Sequence, residues 1–278
     1  MRRRNDIELK SVDDFQLMRS AGLVVAKALA AMRDAVAPGV TTLDLDAIAR
    51  DILREARATS NFLNYDLGDG PYPGVICASV NDRIVHGIPS AEQVLREGDL
   101  ISIDFGAIID GWHADAAITV GVAAISDEAA AVSAACETAL WAGLAAVRAG
   151  VRLGDVSNAI ETAVRAAGRY GIVRGYGGHG IGSQMHMDPH VLNYGRPRSG
   201  LRLVPGMALA IEPMITLGDA ATRQLKDGWT VVTADRSLAA HWEHTVAILS
   251  DGPWVLTAED GGRAELAARG VALSQVAA

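Results

Sequence analysis

Four acidic residues interrupt strand-like apolar runs at matching places in the two halves of this 278-residue sequence. The segments GDLISID and GMALAIE each end in an acid six residues after a glycine. The short segments HAD and HWE each end in a further acid. Carboxylates gathered on one apolar face repel one another and are costly to desolvate unless they share a proton or bind a cation. The pattern therefore predicts a metal site formed by four carboxylates: Asp104, Asp115, Glu212 and Glu243.

The spacing around one turn indicates how two of these acids meet. Asp110-Gly111 is typical of a two-residue hairpin turn. Counting back from that turn places Asp104 opposite Ala117, with Asp115 diagonal to Asp104 on the same face, about 7–8 Å away between backbones. Four carboxylates suit two divalent ions about 3.5–4 Å apart. An oxygen-rich set with one imidazole fits Mn, Fe, Co or Zn, and the sequence leaves that choice open.

The elements that must position these acids follow the same order twice, which predicts a pseudo-two-fold α+β fold with its site between the halves. A serine with an aspartate three residues later predicts a capped first helix, and apolar residues at helical spacing predict the rest. The predicted elements are a helix from Ser11 to about Ala37, a helix carrying Leu45, Ile48 and Ile52, strands at 75–80 and 100–109, a helix starting near Ser126, a helix carrying Val156, Ile160 and Val164, and a strand at 207–215.

The overall composition excludes several classes of protein. Hydrophobic residues make up 50% of the chain and charged residues 21%, which is typical of a soluble globular protein. A net charge of −8 argues against direct binding of nucleic acid. No apolar run reaches the roughly 18 residues of a membrane helix, and the two cysteines, Cys77 and Cys136, form no disulfide framework. We therefore expect a cytoplasmic protein without membrane contact.

Five motifs resemble the type I methionine aminopeptidases. They are VNDRIVHGIP (80–89), SIDFGAIIDGWHADAA (102–117), GGHGIG (177–182), AIEPM (210–214) and DGWTVVTADRSLAAHWEHT (227–245). The resemblance implies an α+β pita-bread fold, in which a pseudo-two-fold repeat of helices packs on an antiparallel sheet around a binuclear metal site. It implies one catalytic domain at 11–256, with halves of about 11–125 and 126–256. Outside it we expect a flexible N-terminus at 1–10, which carries three arginines directly after the first methionine, and a C-terminal tail at 257–278.

The resemblance also implies which residues hold two divalent ions. The implied ligands are Asp104, Asp115, His179, Glu212 and Glu243. Asp115 and Glu243 would bridge the two ions, Asp104 would bind one, and His179 and Glu212 would bind the other. The glycines around His179 would let this side chain reach the metal from a closely packed loop.

Further positions match the family's catalytic and substrate-binding residues. His86 and His186 would steady the reacting carbonyl, and Glu212 would relay a proton. The methionine pocket would be lined by Tyr72, Cys77, Met185 and Trp229. Three histidines match no family position and are interpreted as structural: His113, His190 and His241. His244, directly after a predicted ligand, is equally compatible with a structural role and with support of the metal centre.

The implied activity is removal of the N-terminal methionine from nascent proteins and peptides when the second residue is small. A metal-activated hydroxide would attack the first peptide carbonyl. The resemblance further implies a monomer that contacts the ribosome transiently.

Two alternatives stay open from the sequence. X-Pro aminopeptidases and prolidases share the five ligands, but they usually carry an additional N-terminal domain, for which the ten residues before Ser11 are too few. A non-catalytic pita-bread protein that binds a partner would typically have lost ligands, and all five are present here.

Overall fold

The computed structural model describes residues 7–66, 68 and 70–277. The first six residues of the N-terminus that we expected to be flexible lie outside the described part of the chain. The helices are α1 (Val12–Ala35), α2 (Thr42–Ala56), α3 (Asp127–Ala146), α4 (Leu153–Ala167) and α5 (Arg263–Ala268), followed by a 3-10 turn at Gln275–Ala277. The strands are β1 (Thr59–Ser60), β2 (Ile76–Val80), β3 (Arg83–Val85), β4 (Leu100–Ile109), β5 (Trp112–Gly121), β6 (Gly171–Ile172), β7 (Gly178–Gly180), β8 (Met187–Val191), β9 (Ala208–Ile211), β10 (Met214–Thr216), β11 (Thr222–Gln224), β12 (Val231–Thr233), β13 (Ala239–His241), β14 (Glu243–Ile248) and β15 (Pro253–Val255).

The first helix begins at the predicted capping box. The Ser11 hydroxyl accepts a hydrogen bond from the Asp14 backbone N–H at 3.2 Å, and the Asp14 carboxylate accepts one from the Ser11 N–H at 2.8 Å. The second helix begins in the same way, with Thr41 and Asp44. Each box pairs backbone donors that the first helical turn leaves unsatisfied.

The two halves place a helix pair on one large antiparallel sheet. Its strand order is β1-β4-β5-β14-β9-β7-β8, with β2 also paired to β4 and β15 to β14. Apolar residues of α1 and α2, such as Val25 and Ile52, pack against β4 residues such as Ile103. In the second half Val132 of α3 and Ile160 of α4 lie in one core cluster with residues of β9 and β14. The predicted pseudo-two-fold α+β architecture is confirmed.

The hairpin between β4 and β5 has the predicted register. Asp110 and Gly111 form the turn with positive φ values of 49° and 81°, as this type of turn requires. Asp104 pairs with Ala117, so the predicted position of Asp115, two residues from that partner, is also confirmed.

The packed unit extends beyond residues 11–256 at both ends. The Lys10 backbone N–H donates to the Gly206 carbonyl at 2.7 Å, and Glu8 accepts from the Ser183 N–H at 3.1 Å. At the other end Leu266 of α5 is fully buried in the core of the second half. The expected flexible terminus therefore includes residues that are fixed by hydrogen bonds, and the expected tail includes a residue of the core.

Two of the described helices, α1 and α3, are long and apolar enough to span a membrane by length and composition alone. In each, about half of the most apolar window is buried inside the fold, 44% in α1 and 50% in α3. Their packing on the sheet accounts for this apolar character, since the core helices of a globular protein meet the same criteria.

Candidate active site

Strand register aligns the four acids on one face of the large sheet. Ala117 of β5 pairs with Asp104 on one side and with Glu243 of β14 on the other. Asp115, two residues from Ala117, shares that face. The antiparallel register of β14 and β9, continued by one residue, brings Glu212 opposite Glu243. Both halves of the molecule thus contribute two carboxylates to one cluster.

The glycine-rich stretch brings an imidazole to this cluster. His179 of β7 pairs with Ala210 of β9, and its Nδ1 lies 3.0 Å from the Gly180 carbonyl oxygen. With Nδ1–H donating to that carbonyl, the Nε2 lone pair is free, and Nε2 lies 3.5 Å from Glu212 Oε1. A Cβ at Gly178 would approach the Ala210 carbonyl oxygen to 2.1 Å, so this close strand contact requires glycine.

Burial makes this collection of negative charges costly. Asp115 and Glu243 are only 3% and 2% exposed. Burial and the neighbouring Asp115 raise the pKa of Asp104 well above its usual range. Burial, with the charge of Glu212, raises the pKa of Asp115 to about 8, and burial and Asp115 raise the pKa of Glu243 well above its usual range. A bound cation would offset this repulsion and favour the ionised forms.

Glu212 differs from the other three acids. Burial alone would raise the pKa of its carboxyl, but the interactions with the His241 ring and with His179 outweigh burial and lower it. Glu212 is therefore the most readily ionised member of the cluster.

Unsatisfied buried atoms test whether the cluster suits a metal. Among the described residues, Oδ1 of Asp104, Oδ1 of Asp115 and Oε1 of Glu243 are buried and have no hydrogen-bond partner. Native proteins rarely leave such atoms unpaired unless an ion or water completes the site. Two sets of three side chains bring one ligand atom each to within 4.8 Å of one another: Asp115, His179 and Glu243, and Glu212, His241 and Glu243. Carboxylate oxygens with imidazole nitrogen fit a divalent transition metal.

His241, interpreted from the sequence as structural, lies at the acid cluster. This side chain is 2% exposed, and its Nε2 lies 3.6 Å from Glu212 Oε2 and 3.9 Å from Glu243 Oε2. His241 ends β13 and Glu243 begins β14. The pairing of these strands with β10 and β5 brings the ring to the cluster, and the sequence offered only the separation of two residues from Glu243 as a signal.

The other three histidines outside the predicted site have separate surroundings. His244 faces away from the cluster: its Nδ1 lies 2.8 Å from Thr257 Oγ1 and its ring packs on Trp141. His113 Nδ1 lies 3.1 Å from Asn61 Oδ1. His190 lines the cavity at an exposed position.

A cavity of about 230 Å³ opens above the acid cluster, and the two predicted substrate-side histidines lie in its wall. His86 adopts a positive φ of 59°, a strained conformation that clusters at functional sites. His186 Nδ1 lies 2.8 Å from the hydroxyl of Tyr65. Sequence reasoning missed Tyr65, because it lies in a loop without periodic signal.

Both histidines are neutral near pH 7. Burial lowers the pKa of His86 to about 4. Although His186 is exposed at the cavity mouth, partial removal from water and the proximity of His179 lower its pKa. Neutral imidazoles can donate one hydrogen bond without adding a positive charge beside a cationic centre.

The four residues predicted to line a methionine pocket form one apolar cluster. Tyr72, Cys77, Met185 and Trp229 are all buried and pack together with Phe62. The single O–H of Tyr72 lies between two backbone carbonyl oxygens, those of Ile76 at 3.0 Å and Gly87 at 2.9 Å, to either of which it can donate, and this fixes its ring. Cys77 of β2 pairs with Asp104, so the apolar cluster directly adjoins the acids. Phe62 was missed for the same reason as Tyr65.

Comparison with known proteins gives a consistent picture. Residues 16–250 match the model of metallopeptidase family M24. Methionine aminopeptidase 1 of Mycobacterium tuberculosis is 56% identical over 262 residues, which cover 92% of this chain and 97% of that protein. The crystal structure of methionine aminopeptidase from Thermotoga maritima superposes with a TM-score of 0.88 at 38% identity and covers 91% of this chain and 100% of that chain.

A solved structure at lower identity shows the same fold. Xaa-Pro dipeptidase from Bacillus anthracis has a TM-score of 0.70 at 22% identity, and the match covers 90% of this chain but 61% of that one. The motifs, the fold and the close relatives agree. The chain belongs to metallopeptidase family M24 and, within it, to the methionine aminopeptidases.

Proposed function

We propose that this protein is a metal-dependent aminopeptidase that removes the N-terminal methionine from proteins and peptides whose second residue is small. The observation that carries the proposal is the cluster of four carboxylates and His179, all buried except the half-buried Asp104, at the floor of a cavity with an apolar wall. Membership of the methionine aminopeptidases supports the same substrate class.

In this proposal five side chains would hold two divalent ions: Asp104, Asp115, His179, Glu212 and Glu243. Two observations support the assignment of Asp115 and Glu243 to both ions. Glu243 contributes a ligand atom to both sets of close ligand atoms, and Asp115 shares one of those sets with the imidazole of His179, so both carboxylates would lie within reach of more than one ligand of the ions. The donor set accepts Co, Mn, Fe or Zn, and their availability selects among them.

Bound divalent ions supply Lewis acidity, which polarises the scissile carbonyl and makes water a nucleophile near neutral pH. The protein's own groups do the rest. Glu212, held ionised by its imidazole neighbours, accepts a proton and passes it towards the leaving amine. His86 and His186, neutral near pH 7, donate hydrogen bonds to the developing charge on the carbonyl oxygen. Tyr65 orients the His186 ring through the bond at Nδ1.

The methionine side chain occupies the apolar wall of the cavity. The rings of Tyr72 and Trp229 meet edge to face at 5.2 Å between centroids, and the thioether of Met185 lies in the same cluster. An unbranched thioether packs well against aromatic rings, often at their edges. Such a pocket selects for size and apolar character and rejects charged first residues.

Hydrolysis assays with metal-stripped protein test this function. The protein is supplied separately with Mn, Fe, Co and Zn and incubated with Met-Ala-Ser or with a peptide beginning Ala-Pro. We expect release of methionine that depends on metal and is lost in His179→Ala. A matched control is His190→Ala, which changes an exposed histidine of the cavity wall outside the proposed ligand set.

The other outcomes separate the alternatives. Preferential cleavage of the Ala-Pro bond would instead place the activity with the X-Pro enzymes. A folded protein that binds divalent metal but cleaves neither peptide with any of the four ions would contradict the aminopeptidase and favour a binding protein.

For its setting, we propose a monomer in the cytoplasm that acts on nascent chains and contacts the ribosome only transiently, without direct binding to nucleic acid or membrane. The net charge of −8 supports weak contact with ribosomal RNA. Light scattering of the purified protein tests the monomer. Cosedimentation with ribosomes at low and physiological salt tests the contact, which we expect to disappear at physiological salt.

A further inference from the structure

The two sets of close ligand atoms contain five different side chains, and four of these belong to the proposed metal ligands. The fifth is His241. Its Nε2 is buried and has no hydrogen-bond partner among the described residues. A buried imidazole nitrogen without a partner costs free energy, so its position needs an explanation.

The location of this ring is fixed by the backbone that carries it. The His241 N–H donates to the Thr119 hydroxyl at 3.0 Å, and that hydroxyl donates to the His241 carbonyl at 2.7 Å. The hydroxyl of Ser102, the strand partner of Thr119, lies 2.9 Å from the Thr119 hydroxyl. His241 also pairs with Met214. Two buried hydroxyls thus hold His241 between the large sheet and a three-stranded sheet.

The two imidazoles at the cluster flank the two oxygens of one carboxylate. His179 Nε2 lies 3.5 Å from Glu212 Oε1, and His241 Nε2 lies 3.6 Å from Glu212 Oε2. The second neighbour of His241 Nε2 is Glu243 Oε2 at 3.9 Å. Both neighbours are carboxylate oxygens, which accept hydrogen bonds when ionised, so the tautomer with hydrogen on Nε2 suits this position.

We propose that His241 is a positioning residue of the metal centre: its Nε2–H donates to Oε2 of Glu212 and so aims Oε1 at the ion shared with His179. This inference rests on the proposed metal function. Carboxylates that bind a metal are oriented by hydrogen bonds to their outer oxygens, and loss of such a partner typically costs 10–100-fold in metal affinity. A shift of a few tenths of an ångström brings the 3.6 Å separation into hydrogen-bonding range.

Two substitutions separate positioning from direct coordination. In His241→Gln the amide nitrogen lies the same number of bonds from Cβ as the imidazole Nε2, and it donates hydrogen bonds but binds transition metals poorly. In His241→Leu the volume is largely kept and the donor is lost. His244→Gln is the matched control, since it changes a histidine of the same chain segment whose ring faces Thr257 and Trp141.

The test titrates Co²⁺ into metal-stripped protein and follows stoichiometry and affinity by calorimetry, with the visible absorption of bound Co²⁺ reporting its ligands. We expect His241→Leu to weaken Co²⁺ binding about 10–100-fold. We expect His241→Gln to bind within about threefold of the parent, because a donor to Glu212 is kept, and with an unchanged spectrum. We expect no change in His244→Gln.

Three results would overturn the inference. Parent-like affinity in His241→Leu would show that the ring does not position Glu212. Equal loss in the Gln and Leu variants with an altered spectrum would make His241 a direct ligand, and equal loss in His244→Gln would make the effect nonspecific. If His241→Leu does not fold by circular dichroism, His241→Asn serves instead, since its amide falls one carbon short and we expect the same loss. Failure of the parent to bind Co²⁺ would overturn the proposed metal centre itself.

Discussion

The two halves of the molecule deliver the same number of carboxylates to the site by different means. In the first half, Asp104 and Asp115 lie on one continuous hairpin closed by a two-residue turn. In the second half, Glu243 lies on β14 and Glu212 directly after β9, while β7 supplies His179. One pair is positioned by local register and the other by pairing between distant segments.

This difference separates what is locally encoded from what depends on the whole fold. The hairpin fixes the distance between its two acids once its turn forms, because each strand alternates its faces. The second set has no such local constraint and needs β14 to pair with β5 on one side and β9 on the other. Thr245 joins the halves, since its hydroxyl exchanges hydrogen bonds with the backbone of Asp115 at 3.0 and 2.8 Å.

The largest expected effect tests whether the halves form one site. Asp115→Asn in the hairpin and Glu243→Gln in β14 should each reduce kcat/KM on Met-Ala-Ser by more than about 100-fold, beyond the range for groups that only orient a ligand. The double variant should be scarcely worse than either single one, because residues that act as a unit are not additive. Steady-state kinetics with saturating metal measure all three.

A matched control for this comparison is Asp110→Asn, which changes an acid of the same hairpin at the exposed turn, where asparagine also accepts positive φ. Its activity should stay at the parent level. Losses that multiply in the double variant would mean that the halves act independently, contrary to the shared cluster.

Substitution of one glycine in each half should have an effect of intermediate size and compares the same two regions. In Gly178→Ala the new Cβ meets the Ala210 carbonyl oxygen at 2.1 Å, so β7 and β9 must separate and His179 must move. We expect a loss of about 2–3 kcal/mol in the free energy of unfolding, together with weaker Co²⁺ binding. Gly111→Ala places its Cβ at a site without a heavy atom within 4 Å among the described residues. Here only the positive φ is strained, by about 1 kcal/mol.

Urea unfolding and Co²⁺ titration of both variants measure this difference. Equal destabilisation, or parent-like Co²⁺ affinity in Gly178→Ala, would contradict the dependence of the second half on close strand contact.

The same division explains how much of the site could be predicted from the sequence. The facing of Asp104 and Ala117 follows from turn chemistry and counting, which are local. The position of His241 does not follow from local pattern, because it ends β13 while Glu243 begins β14, and a lone histidine is more often structural. Tyr65 and Phe62 lie in a loop, where no periodicity reports which side chains face a cavity. The pairing of Glu212 with Glu243 depends on the register of strands far apart in sequence, which local patterns do not fix.

The smallest expected effect compares one cavity histidine from each half. In the folded protein burial lowers the pKa of His86 to about 4. The charge of Glu212 raises this pKa and His241 lowers it, both by less than burial does. The unfolded chain binds a proton near pH 6.5. Between these pH values the unfolded state binds more protons than the folded state. The contribution of His86 to the free energy of unfolding is therefore fully present above about pH 6.5 and is lost as the pH falls towards 4. His86→Asn, which tolerates the positive φ of 59°, removes this dependence.

In metal-free protein, the loss of unfolding free energy between pH 7 and pH 5 should therefore be smaller in His86→Asn than in the parent by about 1–2 kcal/mol. Comparison with the parent cancels the opposite trend of the buried acids, which both proteins share. His186 is exposed at the cavity mouth, where water stabilises the charged ring, so His186→Asn should change the pH dependence less. Urea unfolding at both pH values measures the three proteins. An equal or larger change in His186→Asn would contradict the link between enclosure and pKa, in which the rings of Tyr176 and Trp229 around His86 lower its pKa further than the exposed position of His186 allows.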